Sequence, residues 1–115
     1  MSRAAAEGSA QVRRQQAVVC AALGDETRLS LVNTLAGGDA RSIAQLTAGS
    51  RLTRQAITKH LKVLEGAGIV HSVRTGRQSL FELDPVPMND LRTYLTRVSA
   101  HWDEVLGRLR AFVED

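Results

Sequence analysis

The chain has 115 residues, 43% of them hydrophobic, and a net charge of +3. That length suits one domain with a buried core and is too short for two independent cores. Apolar runs such as Ala17 to Leu23 stop far short of the roughly 20 residues a membrane span requires, and a single cysteine, Cys20, can form neither an internal disulfide nor a thiolate cluster for zinc.

The opening stretch MSRAAAEGSAQVRRQQ has no apolar segment behind Arg3, so it does not read as a secretory signal. Residues 1–9 are expected to be a flexible lead-in, residues 10–115 a single domain, and the protein cytoplasmic. A first helix is expected from about Ala10 to Leu23, with apolar Val12, Val18, Val19, Ala22 and Leu23 and with Gly24 as its stop. Asp25 suits the N-cap of a second helix, ETRLSLVNTLA, which sets Leu31, Val32 and Leu35 beside Arg28 and closes at Gly37 and Gly38. Ser42 caps a short third helix with Ile43, Leu46 and also Ala44 as its inward candidates. After the polar turn AGSR, Thr53 caps a fourth helix, in which Ile57, Leu61 and Leu64 recur at four and three residues and form one apolar stripe.

Past Gly66 and Gly68 the period changes. IVHSVR and SLFEL are rich in β-branched and aromatic residues and flank TGRQ, which predicts a β-hairpin with Gly76 supplying the positive φ of the turn. Pro85 and Pro87 stop the second strand and prepare a last helix over about Pro87 to Val113. That helix carries Leu91, Tyr94 or Leu95, Val98, Trp102, Val105, Leu109 and Phe112 at spacings of three and four, like a coiled-coil seam. Two coverings suit such a stripe: a partner helix, which its length favours, or the chain's own core.

Positive charge is concentrated. Between Arg51 and Gln78, six cations (Arg51, Arg54, Lys59, Lys62, Arg74 and Arg77) stand against Glu65 alone, so this segment carries +5 and the remainder of the chain −2. Such a local field suits a polyanion, although a solvated helix face would have the same composition. Two helices joined by a short turn, the second exposing donors, form a helix-turn-helix, and a basic hairpin directly after it forms a wing. Each exposed residue of the fourth helix has chemistry that duplex DNA can use. Arg54 and Lys59 can reach guanine O6 and N7 or phosphate oxygens, Gln55 can pair with adenine N6 and N7, and Thr58 can bond a base edge or touch a thymine methyl. Thr53 and the free amides of that helix end can hold a phosphate. Lys62 suits a backbone contact, and Arg74 and Arg77 suit the backbone or the minor groove. His60 either touches a phosphate or packs against the third helix, and packing is the favoured of the two.

The segments ALGDETRLSLVNTLAGG, TRQAITKHLKVLEGAGIV and RTGRQSLFELDP resemble the ArsR (arsenical-resistance-regulator) family of bacterial winged helix-turn-helix repressors, from about Ala22 to Val113. The resemblance implies a mainly α fold with a two-stranded β-hairpin wing, dimerising through its first and last helices. It also implies a homodimer on a palindromic, double-stranded DNA operator, usually repressing its own operon. Thr53 to Lys62 match the family's recognition helix, and Arg74 to Gln78, including Gln78 itself, match its wing. On this pattern the dimer face comprises Val19, Leu91, Leu95, Val98, Trp102, Val105 and Leu109.

The chain also departs from the family. SIAQLTAGS lacks the cysteine pair by which many relatives sense metals, Arg92 stands where a last-helix metal site needs a histidine, and His101 has no spaced partner. No metal site and no cofactor are therefore expected, and the sequence names no small-molecule inducer. Glu26 and Gln55 replace prolines common at those places.

Two other function classes are weighed. A winged-helix module binding an acidic protein or RNA would need only cations, whereas the neutral Gln55 and Thr58 beside them suit base readout. An enzyme is the weakest reading, because His60, His71 and His101 fall in three different elements and no phosphate loop or nucleophile motif accompanies them. No catalytic residue is expected.

Overall fold

The computed structural model describes residues 3–114. In chain order the elements are α1 (Arg3–Leu23), α2 (Glu26–Leu35), β1 (Arg41–Ser42), α3 (Ile43–Ala48), α4 (Arg54–Gly66), β2 (Val70–Thr75), β3 (Gln78–Leu83) and α5 (Pro85–Glu114). Residues 1 and 2 of the expected lead-in, and Asp115, lie outside the described residues. The rest of that lead-in is helical, so α1 begins at Arg3 and not near Ala10. Ala4, Ala5 and Ala6 have the highest helix propensity, and adding turns to an existing helix avoids a new nucleation step.

The caps are side-chain chemistry acting locally. Asp25 Oδ2 accepts from the Arg28 backbone N–H at 3.0 Å and starts α2. Ser42 and Gln45 form a reciprocal capping box at α3, with Ser42 Oγ accepting from Gln45 N at 3.1 Å and Gln45 Oε1 accepting from Ser42 N at 2.9 Å. Thr53 Oγ1 accepts from Ala56 N at 3.1 Å and starts α4. At the other end of α4, Gly68 takes φ +76°. Its N–H donates to Glu65 O at 2.9 Å, and the next N–H, of Ile69, donates to Leu64 O at 3.0 Å. This pair of bonds is a Schellman motif, and Ile69 and Leu64 are both fully buried beside it. The motif turns the chain straight into β2.

The hairpin pairs Val70 with Leu83 through Thr75 with Gln78, leaving Gly76 and Arg77 as a two-residue turn. Gly76 has φ +63° while Arg77 has negative φ, the pattern of a type II′ turn. The sheet has one strand more than the expected two: β1 pairs antiparallel with the free edge of β3, Arg41 opposite Phe81 and Ser42 opposite Leu80. A two-residue strand has no periodicity to read, since its existence depends on an edge nearly forty residues away. The last helix starts at Pro85, two residues before the expected Pro87. Asp84 Oδ1 accepts from Val86 N at 3.0 Å as its cap, and both prolines sit in the first turn, where a helix has no use for their missing N–H.

The core joins Val19 and Ala22 of α1, Leu31, Val32 and Leu35 of α2, Leu46 of α3, the α4 stripe, Ile69, Val70 and Leu91 of α5. Ala44, a candidate for the inward face of α3, is exposed, since a six-residue helix has room for only one buried line. Ile57 and Leu64 are 0% exposed and Leu61 1%, so the stripe of α4 is wholly used in packing. Ile57→Ala should therefore destabilise the fold by about 2–5 kcal/mol in chemical denaturation. An effect below ~1 kcal/mol would mean that α4 is not anchored there. The Asp25 carboxyl is held below its ordinary value of 3.8, chiefly by the hydrogen bond from the Arg28 backbone, with partial desolvation opposing the shift and the Arg28 charge adding to it. A depressed carboxylate contributes stability that is complete above its unfolded value and is lost as pH falls through the lowered one. Asp25→Asn should flatten that part of the acid-unfolding curve, and an unchanged curve would remove Asp25 from it.

Candidate nucleic-acid interface

With Ile57, Leu61 and Leu64 turned inward, the 100° step of an α-helix places Arg54, Gln55, Thr58, Lys59 and Lys62 on the remaining face. Arg54, Gln55, Lys59 and Lys62 are exposed, as is the cap Thr53, while Thr58 is half-buried. The Thr58 hydroxyl donates to the Arg54 carbonyl at 2.7 Å. Its proton is thereby used within the helix, and what remains for a ligand is an acceptor lone pair and the methyl group. Among the described residues, no carboxylate pairs with Arg54, Lys59, Lys62, Arg74 or Arg77, the carboxylates that meet a basic side chain being those beside His60 and His71. Their charge is uncompensated by the fold.

The wing brings a second set to the same side. Arg77 in the turn and Gln78 at the start of β3 line a groove of about 250 Å³ together with Arg54, Ser79 and residues 42–44 at the start of α3. Thus the first turn of α4 and the tip of the wing share one surface, although more than twenty residues separate them in sequence. Thr53 and Gln55 belong to that same turn of α4. Lys59 and Lys62 lie further along the helix, and Arg74 stands exposed on β2, all three outside the groove. Ser79 and Ala44 are groove residues with no sequence signal of their own, because only the fold brings α3 against the wing.

His60 departs from expectation in its partner. It is half-buried, with its side chain 23% exposed, and its Nδ1 lies 3.2 Å from Arg28 Nη1 and 3.8 Å from Asp25 Oδ2. It packs, but against the start of α2 and not against α3. Residue 60 falls on the flank of the apolar stripe away from Arg54 and Thr58, and that flank faces α2.

The expected dimer face divides into two parts. Val19 at 6% and Leu91 at 7% exposure belong to the chain's own core, and so have little surface left for a partner. Periodicity could not separate them, because a face buried inside a chain and one buried between chains have the same spacing. Leu95, Val98, Trp102 and Leu109 are exposed, Trp102 to 57%, while Val105 is half-buried with Leu106 exposed beside it. Tyr94 is half-buried, so Leu95 is the member of that pair on the outer line. The open apolar stripe of α5 is therefore Leu95, Val98, Trp102, Leu106 and Leu109, continued by Phe112 and Val113. No helix among the described residues is long and apolar enough to cross a membrane.

Comparison with known proteins agrees with this architecture. Residues 23–73 match the family described as a helix-turn-helix domain. Over 76 residues the chain is 37% identical to the HTH-type transcriptional regulator Rv2034 of Mycobacterium tuberculosis, a match covering 66% of this chain and 70% of that protein. Among solved structures, an ArsR-like transcriptional regulator from Rhodococcus sp. RHA1 superposes with a TM-score of 0.77 at 34% identity, over 87% of this chain and 93% of its own. A homodimeric winged helix-turn-helix DNA-binding domain of Mycobacterium bovis, Mb0332, described as a possible ArsR-family regulator, shares the fold with a TM-score of 0.63 at 23% identity, covering 87% of this chain and 89% of its own. The helix α4 capped by Thr53, a Schellman exit into a basic wing and these relatives together identify the chain as a member of the ArsR family of winged helix-turn-helix, DNA-binding transcriptional regulators.

Proposed function

We propose that residues 10–115 act as one DNA-binding and dimerising unit, a homodimeric repressor that binds a palindromic operator with α4 in the major groove and the β2–β3 hairpin as wing. The observation that carries this reading is the unpaired polar face of α4, whose Arg54 lines one groove with Arg77 and Gln78 of the wing tip. The N-terminal turn of α4 enters the groove. Arg54 donates to guanine O6 and N7, Gln55 pairs with adenine N6 and N7, and the Thr58 methyl lies against a thymine methyl. Lys59 serves a base edge or a phosphate, and Lys62, Arg74, Arg77 and Gln78 hold the backbone, with the Thr53 end of the helix taking a further phosphate. Repression follows the family pattern, occupancy of the operator excluding the transcription machinery.

Dimerisation is supported by the open stripe on α5, which extends well past the core and presents Trp102 among aliphatic side chains. Association of two such stripes, with α1 packed on α5, would remove that apolar surface from water. Mb0332, a homodimer of the same fold, sets a precedent for this assembly.

Selection from a random duplex pool should return an inverted repeat whose half-sites are about 10–10.5 bp apart, or a multiple of that. A single unrepeated half-site would contradict the dimer. Gln55→Ala or Arg54→Ala should cost about 1–3 kcal/mol at particular base pairs and relax preference there, whereas Arg77→Ala should weaken every sequence alike and make the salt slope shallower by about one. A uniform loss after the Gln55 change would remove its base-reading role. Trp102→Ala should shift sedimentation toward the monomer, and an unchanged profile would argue against the α5 seam.

A further inference from the structure

Arg28 lies at the meeting point of three helices. Its Nε donates to the Ala22 carbonyl and its Nη2 lies 3.5 Å from the Ala21 carbonyl, both in the last turn of α1. Its Nη1 lies 3.2 Å from His60 Nδ1 on α4, and its own backbone N–H is held by the Asp25 cap of α2. A guanidinium has five donors and no acceptor, so His60 Nδ1 must accept and the ring carries its proton on Nε2. The contact thus selects one neutral tautomer.

We propose that Arg28 and His60 are positioning residues that lock the DNA-facing helix α4 to the C-terminal end of α1. Resting as it does on the reading of α4 as the recognition helix, this assigns to the pair the angle at which Arg54, Gln55 and Thr58 meet the groove. Cationic capping of the last α1 carbonyls is favourable in itself, since they lack the i+4 partner of a helix interior, that of Ala21 taking only the Gly24 N–H at 3.2 Å, and carry the negative end of the helix dipole. What is particular here is that the same side chain continues to α4. The apolar stripe of Ile57, Leu61 and Leu64 resists tilting of α4 but allows a small rotation about its axis. A directed bond on the flank of that stripe removes this freedom. Because α1 also packs against α5, the same contact ties α4 to the two outer helices. Lysine could not substitute, since a single ammonium on a flexible stem does not span three acceptors in a planar fork.

The test compares His60→Leu, which keeps bulk and loses the acceptor, His60→Asn, which restores an acceptor close to the Nδ1 position, and Arg28→Lys. For each, affinity for a selected operator and for its scrambled duplex is measured across a salt series, with thermal unfolding alongside. His60→Leu and Arg28→Lys should each lose about tenfold on the operator. The scrambled duplex and the salt slope should be unchanged, because no phosphate contact is removed. His60→Asn should recover most of the loss, and the double change should cost no more than either alone, as members of one contact do. An equal loss on both duplexes with a slope shallower by about one would make His60 a phosphate ligand and overturn the proposal. Full operator affinity in a folded His60→Leu protein would also overturn it, leaving the stripe alone to orient α4. Should the leucine variant fail to fold, the asparagine and lysine variants decide by the same criteria. If the unsubstituted chain prefers no duplex, the reading of α4 fails and the lock fails with it.

Discussion

Burial of the narrow stripe Ile57, Leu61 and Leu64 is the constraint from which the functional surface follows. A helix held to a core by one line of side chains has its inward face decided, to within a small rotation, and the residues opposite that line are delivered to water. In α4 these residues are Arg54, Gln55, Lys59 and Lys62. Hydrophobic packing has no preference among polar side chains on an exposed face, so their identity is free to serve recognition. The ends of the helix are specified separately, by the Thr53 hydroxyl at the start and the left-handed Gly68 at the exit. Rotation, start and exit together place the wing.

Charge acquires its meaning only after folding. Six cations spread over the segment from Arg51 to Gln78 look like an ordinary solvated run in one dimension. In three dimensions Arg54 and Arg77 line the same groove, and none of the described carboxylates neutralises them. Like charges brought together without counterions raise the energy of the free protein slightly and are relieved when a polyanion releases its own condensed ions. The rest of the sequence carries −2, so the excess positive charge belongs to this segment.

Much of this was legible from local chemistry. Caps at Asp25, Ser42 and Thr53, the stripe of α4 and the Gly76 turn each depend on residues within a few positions of one another, and each stands where the pattern puts it. What escaped depends on partners distant in the chain. Strand β1 exists because β3 has a free edge, Ala44 borders the groove because the wing folds back on α3, and His60 faces α2 because Arg28 reaches it across 32 positions. The dimer face shows the same boundary. Leu91 shares the α5 spacing of Leu95 and Trp102, yet it is enclosed with Val19 of α1 by the chain's own core while Leu95 and Trp102 are open.

On the proposed function, the exposed face of α4 distinguishes base sequences and does not merely attract phosphate. The most direct measurement is the ratio of affinities for a selected duplex and its scrambled counterpart at physiological salt. A helix reading base edges predicts a preference of at least ~10³-fold. Equal affinity for the two duplexes, with the same salt slope, would reduce the surface to a generic polyanion face and remove base readout from α4.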